Sequence, residues 1–67
     1  DVAALCRAPL PIARRALRAW LRAPHPPDAA TVERVLAVAR GERRSTQVGA
    51  GRSVHRSQGR LRLERTD

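Results

Sequence analysis

The fold of this 67-residue chain is decided by residues 10–40, LPIARRALRAWLRAPHPPDAATVERVLAVAR. The first part predicts a helix from Leu10 to Arg22, because a step of about 100° per residue gathers apolar side chains on one half of the helix and arginines on the other. The apolar half contains Ala13, Ala16, Leu17, Trp20 and Leu21, and the basic half contains Arg14, Arg15, Arg18 and Arg22. We therefore expect Trp20 to pack in the core.

Residues 23–27, APHPP, predict a rigid connector, because proline interrupts both helix and sheet hydrogen bonding. A second helix is predicted from Asp28, whose carboxylate can cap a free backbone N–H, to Arg40, which precedes Gly41. Its apolar residues recur at i, i+3, i+4 and i+7, as Val32, Val35, Leu36 and Ala39. Two apolar stripes joined by so short a connector should pack against each other as a helical hairpin or an angled pair.

From Arg43 onward the apolar period changes from about 3.6 to 2, and glycines mark chain reversals. This pattern predicts three strands, Ser45–Val48, Arg52–Ser57 and Arg60–Arg65. Val54, Leu61 and Leu63 should point inward, and Arg60, Arg62 and Glu64 should take the opposite face. With a short helix over residues 1–8, the sequence predicts an α+β fold in which a two-helix hairpin packs on a small three-stranded antiparallel β-meander.

The length predicts a single domain over residues 1–67, with a helical part at about 1–41 and a β part at about 43–65. Because so short a chain buries only about 60% of its unfolded surface, we expect it to be a fragment of a larger protein. No signal peptide, lipidation signal or long apolar span follows Asp1, so a cytoplasmic protein without membrane insertion is expected.

The charge of the chain indicates its class of partner. All 14 basic residues are arginines, and only 6 residues are acidic, so the formal net charge is +8. Guanidinium groups match phosphate oxygens in shape and charge and can stack on bases. Nucleic acid is therefore the leading partner class.

Other chemistry has little support in the sequence. Cys6 is the single cysteine and is expected to be a buried free thiol, while His25 and His55 lack metal-ligand spacing to it. Gly49 and Gly51 begin like a dinucleotide fingerprint, but the third glycine and the following helix are missing, so a turn is the better interpretation. No serine has the setting of a nucleophile. We expect no catalytic residue, cofactor or metal in this segment.

The ordered motifs resemble a known family. Residues 14–21, RRALRAWL, resemble the "RR-x-L-R-x-W-L" helix of bacterial tRNA(Ile)-lysidine synthetases, and they follow an "LP" pair as in that family. A proline-containing connector, a helix and the pattern G-x-G-x-x-V-x-R-x-x-G-x-L-x-L, from Gly49 to Leu63, are similar to the rest of the domain that follows the catalytic one. The resemblance covers about residues 5–64.

This resemblance implies a substrate-recognition domain of an ATP-dependent ligase, which joins lysine to the wobble cytidine of CAU-anticodon isoleucine tRNA. The implied partners are tRNA and the catalytic domain of the parent enzyme. In the family, ATP binds to an N-terminal adenylating domain with an SGG-x-DS loop. These residues lack that loop, so no catalytic residue is carried over to them.

The candidate RNA-binding residues belong to the first long helix and to the sheet. The helix arginines could contact phosphates or could form a solvated face. Alternation along the strands places two or more sheet arginines side by side, which is unfavourable without a counterion. Because Trp20 is expected in the core, we expect recognition of RNA shape and backbone rather than base stacking. The candidates are Arg14, Arg15, Arg18, Arg22, Arg52, Arg56, Arg60 and Arg62.

Two other functions remain open at this point. A winged-helix DNA-binding module has a similar order of elements and would insert the second helix into the major groove. However, Ala29–Ala39 offers chiefly Glu33, Arg34 and alanines to a groove. The chain could also be a structural domain whose positive charge docks on its own enzyme.

Overall fold

The computed structural model describes residues 2–22 and 25–65, which form three helices followed by three strands. The helices are α1 (Val2–Arg7), α2 (Leu10–Trp20) and α3 (Ala29–Ala39), and the strands are β1 (Ser45–Gly49), β2 (Arg52–Ser57) and β3 (Arg60–Arg65). The strands form one antiparallel sheet in the order β1-β2-β3. The predicted α+β fold with a β-meander is therefore confirmed. Residues 23–24 of the predicted connector lie outside the described residues.

Helix α2 begins immediately after Pro9, whose carbonyl accepts hydrogen bonds from the N–H groups of Ile12 and Ala13 at 2.9 and 3.0 Å. Pro11 lies in the first turn, where a missing N–H costs nothing. The helix ends at Trp20, and the N–H of the next residue, Leu21, donates to the carbonyl of Leu17. The end lies two residues before the predicted Arg22, within the usual uncertainty of a helix terminus.

Helix α3 is capped at both ends. The Asp28 carboxylate accepts a hydrogen bond from the Thr31 N–H at 2.8 Å. At the other end, the Gly41 N–H donates to the Val38 carbonyl and the Glu42 N–H donates to the Ala37 carbonyl. These two bonds form a Schellman motif, and the φ angle of +82° at Gly41 is one that glycine adopts without strain.

The core lies where α2 and α3 meet the sheet. Helix α3 contacts four other elements, namely α1, α2, β1 and β2. The central buried cluster contains Ala13, Leu17 and Leu21 from the α2 region, Val32, Val35 and Leu36 from α3, and Val54 from β2. Leu61 and Leu63 pack against this cluster, as their predicted inward orientation requires. The inward position of Val54, which has no exposed surface, is likewise confirmed.

Tight turns and one bulge set the sheet register. Ala50 and Gly51, between β1 and β2, both have positive φ angles of 56° and 70°, as a two-residue type I′ turn requires. In β1 the pairing shifts between Gln47 and Gly49, so Val48 is the extra residue of a bulge. Val48 packs against the core cluster.

Candidate nucleic-acid interface

The strand register divides the sheet into two faces of different composition. Residues paired directly across antiparallel strands lie on the same face, so Leu63 and the buried Val54 share the face that packs on the helices, called here the inner sheet face. The opposite, outer sheet face carries only polar side chains. They are Ser45, Gln47, Ser53, His55, Ser57, Arg60, Arg62 and Glu64.

The four candidate arginines of the sheet fall on both faces. Arg60 and Arg62 lie on the outer sheet face, as predicted, and are exposed. Arg52 and Arg56 lie on the inner sheet face, two residues to either side of Val54. The sheet therefore presents two separate pairs of guanidinium groups rather than one surface of four.

Two guanidinium groups on the outer sheet face have no partner among the described residues and lie beside a contact between His55 and Glu64. The Nε2 atom of His55 lies 3.7 Å from Oε1 of Glu64. Within residues 2–22 and 25–65, the guanidinium groups of Arg60 and Arg62 have no hydrogen bond and no carboxylate within 4.0 Å. His55 and Arg62 lie directly opposite each other, and Ser57 lies opposite Arg60. These arginines can bind an external anion without first breaking an internal contact.

The predicted arginine stripe of α2 is only partly available. The Nε–H of Arg14 donates to Oε1 of Glu33 at 2.8 Å, which joins α2 to α3 at the surface. Arg15, Arg18 and Arg22 are exposed, and no described carboxylate lies within 4.0 Å of them. The exposed α2 stripe therefore consists of these three residues, while Arg14 contributes to the helix pair.

A third basic site lies between α3 and β1. The Nη2 atom of Arg56 is 3.2 Å from the position that a Cβ atom on Gly41 would occupy, so the guanidinium rests directly on the glycine. Arg43, Arg44 and Glu42 line the same depression, whose volume is about 330 Å³. Arg43, Arg44 and Arg56 form what we call the α3–β1 arginine cluster. Arg43 and Arg44 were not among the RNA-binding residues predicted from the sequence, although two consecutive arginines just after the end of a helix are a visible signal.

Arg52 occupies a different place near the start of α3. It lines a depression together with His25, Asp28 and Thr31. Its Nε atom is buried and has no hydrogen-bond partner among the described residues. The guanidinium is thus partly buried, and Arg52 is the least exposed of the four sheet candidates.

Arg34 has a structural role in the same region. Its Nε–H donates to Oγ1 of Thr46 and its Nη2–H to Oγ1 of Thr31, both at 3.1 Å, so it links α3 to β1. The pKa of Asp28 is lowered, first because the Thr31 side chain and backbone donate hydrogen bonds to its carboxylate, and also because of the nearby positive charge of Arg34. These contacts fix the start of α3 against the sheet.

The prediction that Trp20 packs in the core is wrong. Its residue surface is 41% exposed. The buried stripe of α2 runs through Ala13, Leu17 and Leu21, and Trp20 lies about 100° around the helix from Leu21. A position at the border of the apolar half of a helix is buried only if a neighbouring element covers it, and no described element covers this border completely.

Trp20 instead lines an open groove of about 710 Å³. α2 contributes Ile12, Ala16 and Trp20 along one side. α1 contributes Ala4 and Leu5, the next segment contributes Ala8, and the start of β3 contributes Arg60 and Leu61. We call this feature the Trp20 groove.

The prediction of a buried Cys6 is also wrong. Cys6 is exposed, and its Sγ atom lies 3.5 Å from the carbonyl oxygen of Ala39. The physical reason is the shortness of α1, in which only Val2 is buried. Among residues 2–22 and 25–65, no three His, Cys, Asp or Glu side chains are grouped so that they could hold a metal ion.

The turn at Gly49 and Gly51 does not have the form of a dinucleotide fingerprint. Gly49 and Gly51 flank a hairpin turn that leads into β2 and not into a helix. A Cβ atom added at either glycine would meet no atom within 4 Å, so no cradle closes around the turn. Among residues 2–22 and 25–65, no helix has both the length and the apolar character needed to cross a membrane.

Comparison with known proteins assigns the chain to a family. No curated protein and no solved structure matches it. The family model described as the TilS substrate binding domain matches residues 1–62, which is nearly the whole chain, and agrees with the resemblance to the tRNA(Ile)-lysidine synthetase domain. The chain belongs to the TilS substrate-binding domain family.

Proposed function

We propose that this chain is the tRNA-recognition domain of a tRNA(Ile)-lysidine synthetase. The parent enzyme would use ATP to ligate lysine to the wobble cytidine of a CAU-anticodon isoleucine tRNA. The observation that carries the proposal is the match of residues 1–62 to the substrate-binding domain of this family. The exposed arginines of the outer sheet face and the α2 stripe support it.

The proposed mechanism is recognition of the tRNA backbone by guanidinium groups. Five arginines are exposed and have no acidic partner among the described residues: Arg15 and Arg18 on α2, Arg22 just after its end, and Arg60 and Arg62 on β3. Each phosphate that they neutralise releases condensed counterions, which gives favourable free energy at low salt. The polar side chains beside Arg62, among them His55, can add hydrogen bonds to the ribose and phosphate.

The chemical step belongs to another part of the parent enzyme in this proposal. The residues described here position tRNA, while ATP and lysine would bind to an adenylating domain in the cytoplasmic enzyme. The absence of a phosphate cradle at the Gly49–Gly51 turn is consistent with this division of labour. The catalytic domain is therefore the second proposed partner, after tRNA.

The contacts of α3 argue against the winged-helix DNA-binding alternative. A recognition helix needs free polar side chains that face the major groove. In α3, Glu33 accepts the hydrogen bond of Arg14, and Arg34 binds Thr31 and Thr46. The remaining exposed positions at the start of the helix are Ala29 and Ala30. This helix therefore has no side chains with which to read base edges.

The test is tRNA binding by the 67-residue chain at several salt concentrations. We expect the logarithm of the affinity for isoleucine tRNA to fall linearly with the logarithm of the salt concentration. The combined variant Arg15→Ala, Arg18→Ala, Arg22→Ala, Arg60→Ala and Arg62→Ala should lose most of this dependence. The five matched Arg→Lys substitutions keep the charge and should retain it.

Two results would contradict the proposal. One is tRNA binding of the wild-type chain that does not change between low and physiological salt. The other is equal tRNA affinity of the five-alanine variant and the wild type, with unchanged circular dichroism spectra for both.

A further inference from the structure

Trp20 is the one aromatic residue of the chain, and the structure leaves it 41% exposed. Core packing therefore does not account for its large ring. Ile12, which is 51% exposed, lies eight residues before it and on the same side of α2, with Ala16 between them. The result is an apolar strip along the Trp20 groove, next to the buried Ala13 and Leu17, which also line it.

Of the described residues that line the groove, one is charged, and it is an arginine. Arg60 is the first residue of β3 and lines the groove near Trp20. The same residue belongs to the outer sheet face through its pairing with Ser57. The groove is therefore continuous with the surface on which the proposed function places the tRNA backbone. Among the described residues, no acidic side chain lines it.

We propose that the Trp20 groove binds an unpaired nucleobase of an RNA, with the base stacked on the Trp20 indole and its phosphate held by Arg60. The inference rests on the proposed function and adds a base-binding site to it. The indole ring suits base stacking, because every base has a π-face. The guanidinium group suits the phosphate that every nucleotide carries.

The charge of the groove favours RNA over a protein partner. An exposed apolar strip alone would serve equally well for docking a helix of another domain. However, the charged group that the described residues offer in the groove is a guanidinium, and the chain has a formal net charge of +8. An occupant with an apolar ring and an adjoining negative charge satisfies both features.

Fluorescence gives a direct test, because Trp20 is the single tryptophan and the chain contains no tyrosine. The probes are unmodified isoleucine tRNA, a short single-stranded RNA of mixed sequence, and the same RNA annealed to its complement. We expect the tRNA and the single strand to quench Trp20 fluorescence and the duplex to leave it nearly unchanged, since paired bases are not free to stack.

Substitutions measure the contribution of the ring. We expect Trp20→Ala to bind the single-stranded RNA about 5- to 150-fold more weakly, which is the usual range for loss of base stacking. Trp20→Phe keeps an aromatic face and should retain most of the affinity. Arg60→Ala should weaken binding without abolishing quenching at saturation. Circular dichroism melting of each variant shows whether its fold is intact.

The outcomes separate this inference from the proposed function. Salt-dependent tRNA binding with no quenching and no effect of Trp20→Ala would overturn the base site while the proposed function stands. Absence of any tRNA binding would overturn the proposed function. A fluorescence change on addition of the separately purified catalytic domain without RNA, together with no quenching by RNA, would make the groove a protein interface and would also overturn the base site.

Discussion

The inner and outer faces of the sheet are built from alternate residues of the same three strands, yet only one of them contributes to the core. Val54, Leu61 and Leu63 on the inner sheet face pack against the helices. The outer sheet face has serine, glutamine, histidine, arginine and glutamate, and no apolar residue. The comparison teaches that core packing and the proposed RNA binding are divided between the two faces of this domain, residue by residue along each strand.

The largest effect on stability is expected from a charged substitution on the inner sheet face. Val54→Asp would place an unpaired carboxylate at a position with no exposed surface. Burial of an isolated charge costs about 4 kcal/mol or more, a large part of the stability of so small a domain. We expect an unfolded chain by circular dichroism.

Ser45→Asp is the matched control on the outer sheet face, in the row of His55 and Arg62. It should keep the urea midpoint of the wild type. If Val54→Asp remained folded, the assignment of the two faces would be wrong.

The next effect tests the outer sheet face as a binding surface. Arg60→Ala with Arg62→Ala should weaken tRNA binding by about tenfold or more, because hydrogen bonds to charged groups contribute about 1.5–3 kcal/mol each before screening by solvent. The slope of the logarithm of affinity against the logarithm of salt should become shallower by about 1.4–1.8. Filter binding at several salt concentrations measures both quantities.

The two arginines of the inner sheet face, Arg52 and Arg56, provide the comparison with Arg60 and Arg62. Arg52→Ala with Arg56→Ala removes the same charge, but Arg52 has a buried Nε atom and Arg56 rests on Gly41. We expect a smaller loss of tRNA affinity and a larger change in thermal stability than for the outer pair. The reverse pattern would move the binding surface to the inner arginines.

A smaller effect concerns the contact between Arg56 and the end of α3. Gly41→Ala would strain a residue with a φ of +82° by about 1–2 kcal/mol and would also push against the Arg56 guanidinium. Gly51→Ala has a similar φ of +70° but meets no atom within 4 Å, so it isolates the backbone strain. In urea unfolding, Gly41→Ala should be the more destabilised variant. Equal midpoints would show that the guanidinium moves aside without cost.

The smallest effect is a pH dependence at the start of α3. The pKa of Asp28 is lowered in the folded state, first by its hydrogen bonds from Thr31. The stability that it contributes is therefore fully present above the unfolded pKa of about 3.9 and is lost as the pH falls through the folded value. The difference in urea midpoint between wild type and Asp28→Asn should shrink as the pH falls below about 4. A difference that stays constant down to lower pH would contradict this assignment.

The sequence allowed the elements and the sheet faces to be predicted, because both follow from local periodicity. The switch from a helical period to alternation located β2 and β3, and it placed Val54 inside and Arg60 and Arg62 outside. The start of the second long helix at Asp28 was visible because a capping residue acts on its immediate neighbours.

The environments of Trp20 and Cys6 could not be predicted in the same way. A helical wheel gives the direction of a side chain but not what covers it. Trp20 lies at the border of the apolar half of α2, where a small rotation of the helix decides between core and surface. Cys6 lies on a helix so short that only Val2 is buried. The approach of Arg56 to Gly41 depends on the packing of α3 against the sheet, which no local pattern encodes.

The position of β3 at the edge of the sheet has a consequence for handling the protein. An edge strand has unpaired backbone groups that can hydrogen-bond to another chain, and charged side chains discourage such pairing. Four of the six residues of β3 are charged, namely Arg60, Arg62, Glu64 and Arg65. The β3 arginines that are proposed to bind RNA should thus also discourage pairing between copies of the domain, and neutral variants of this strand call for low protein concentrations and a check for self-association.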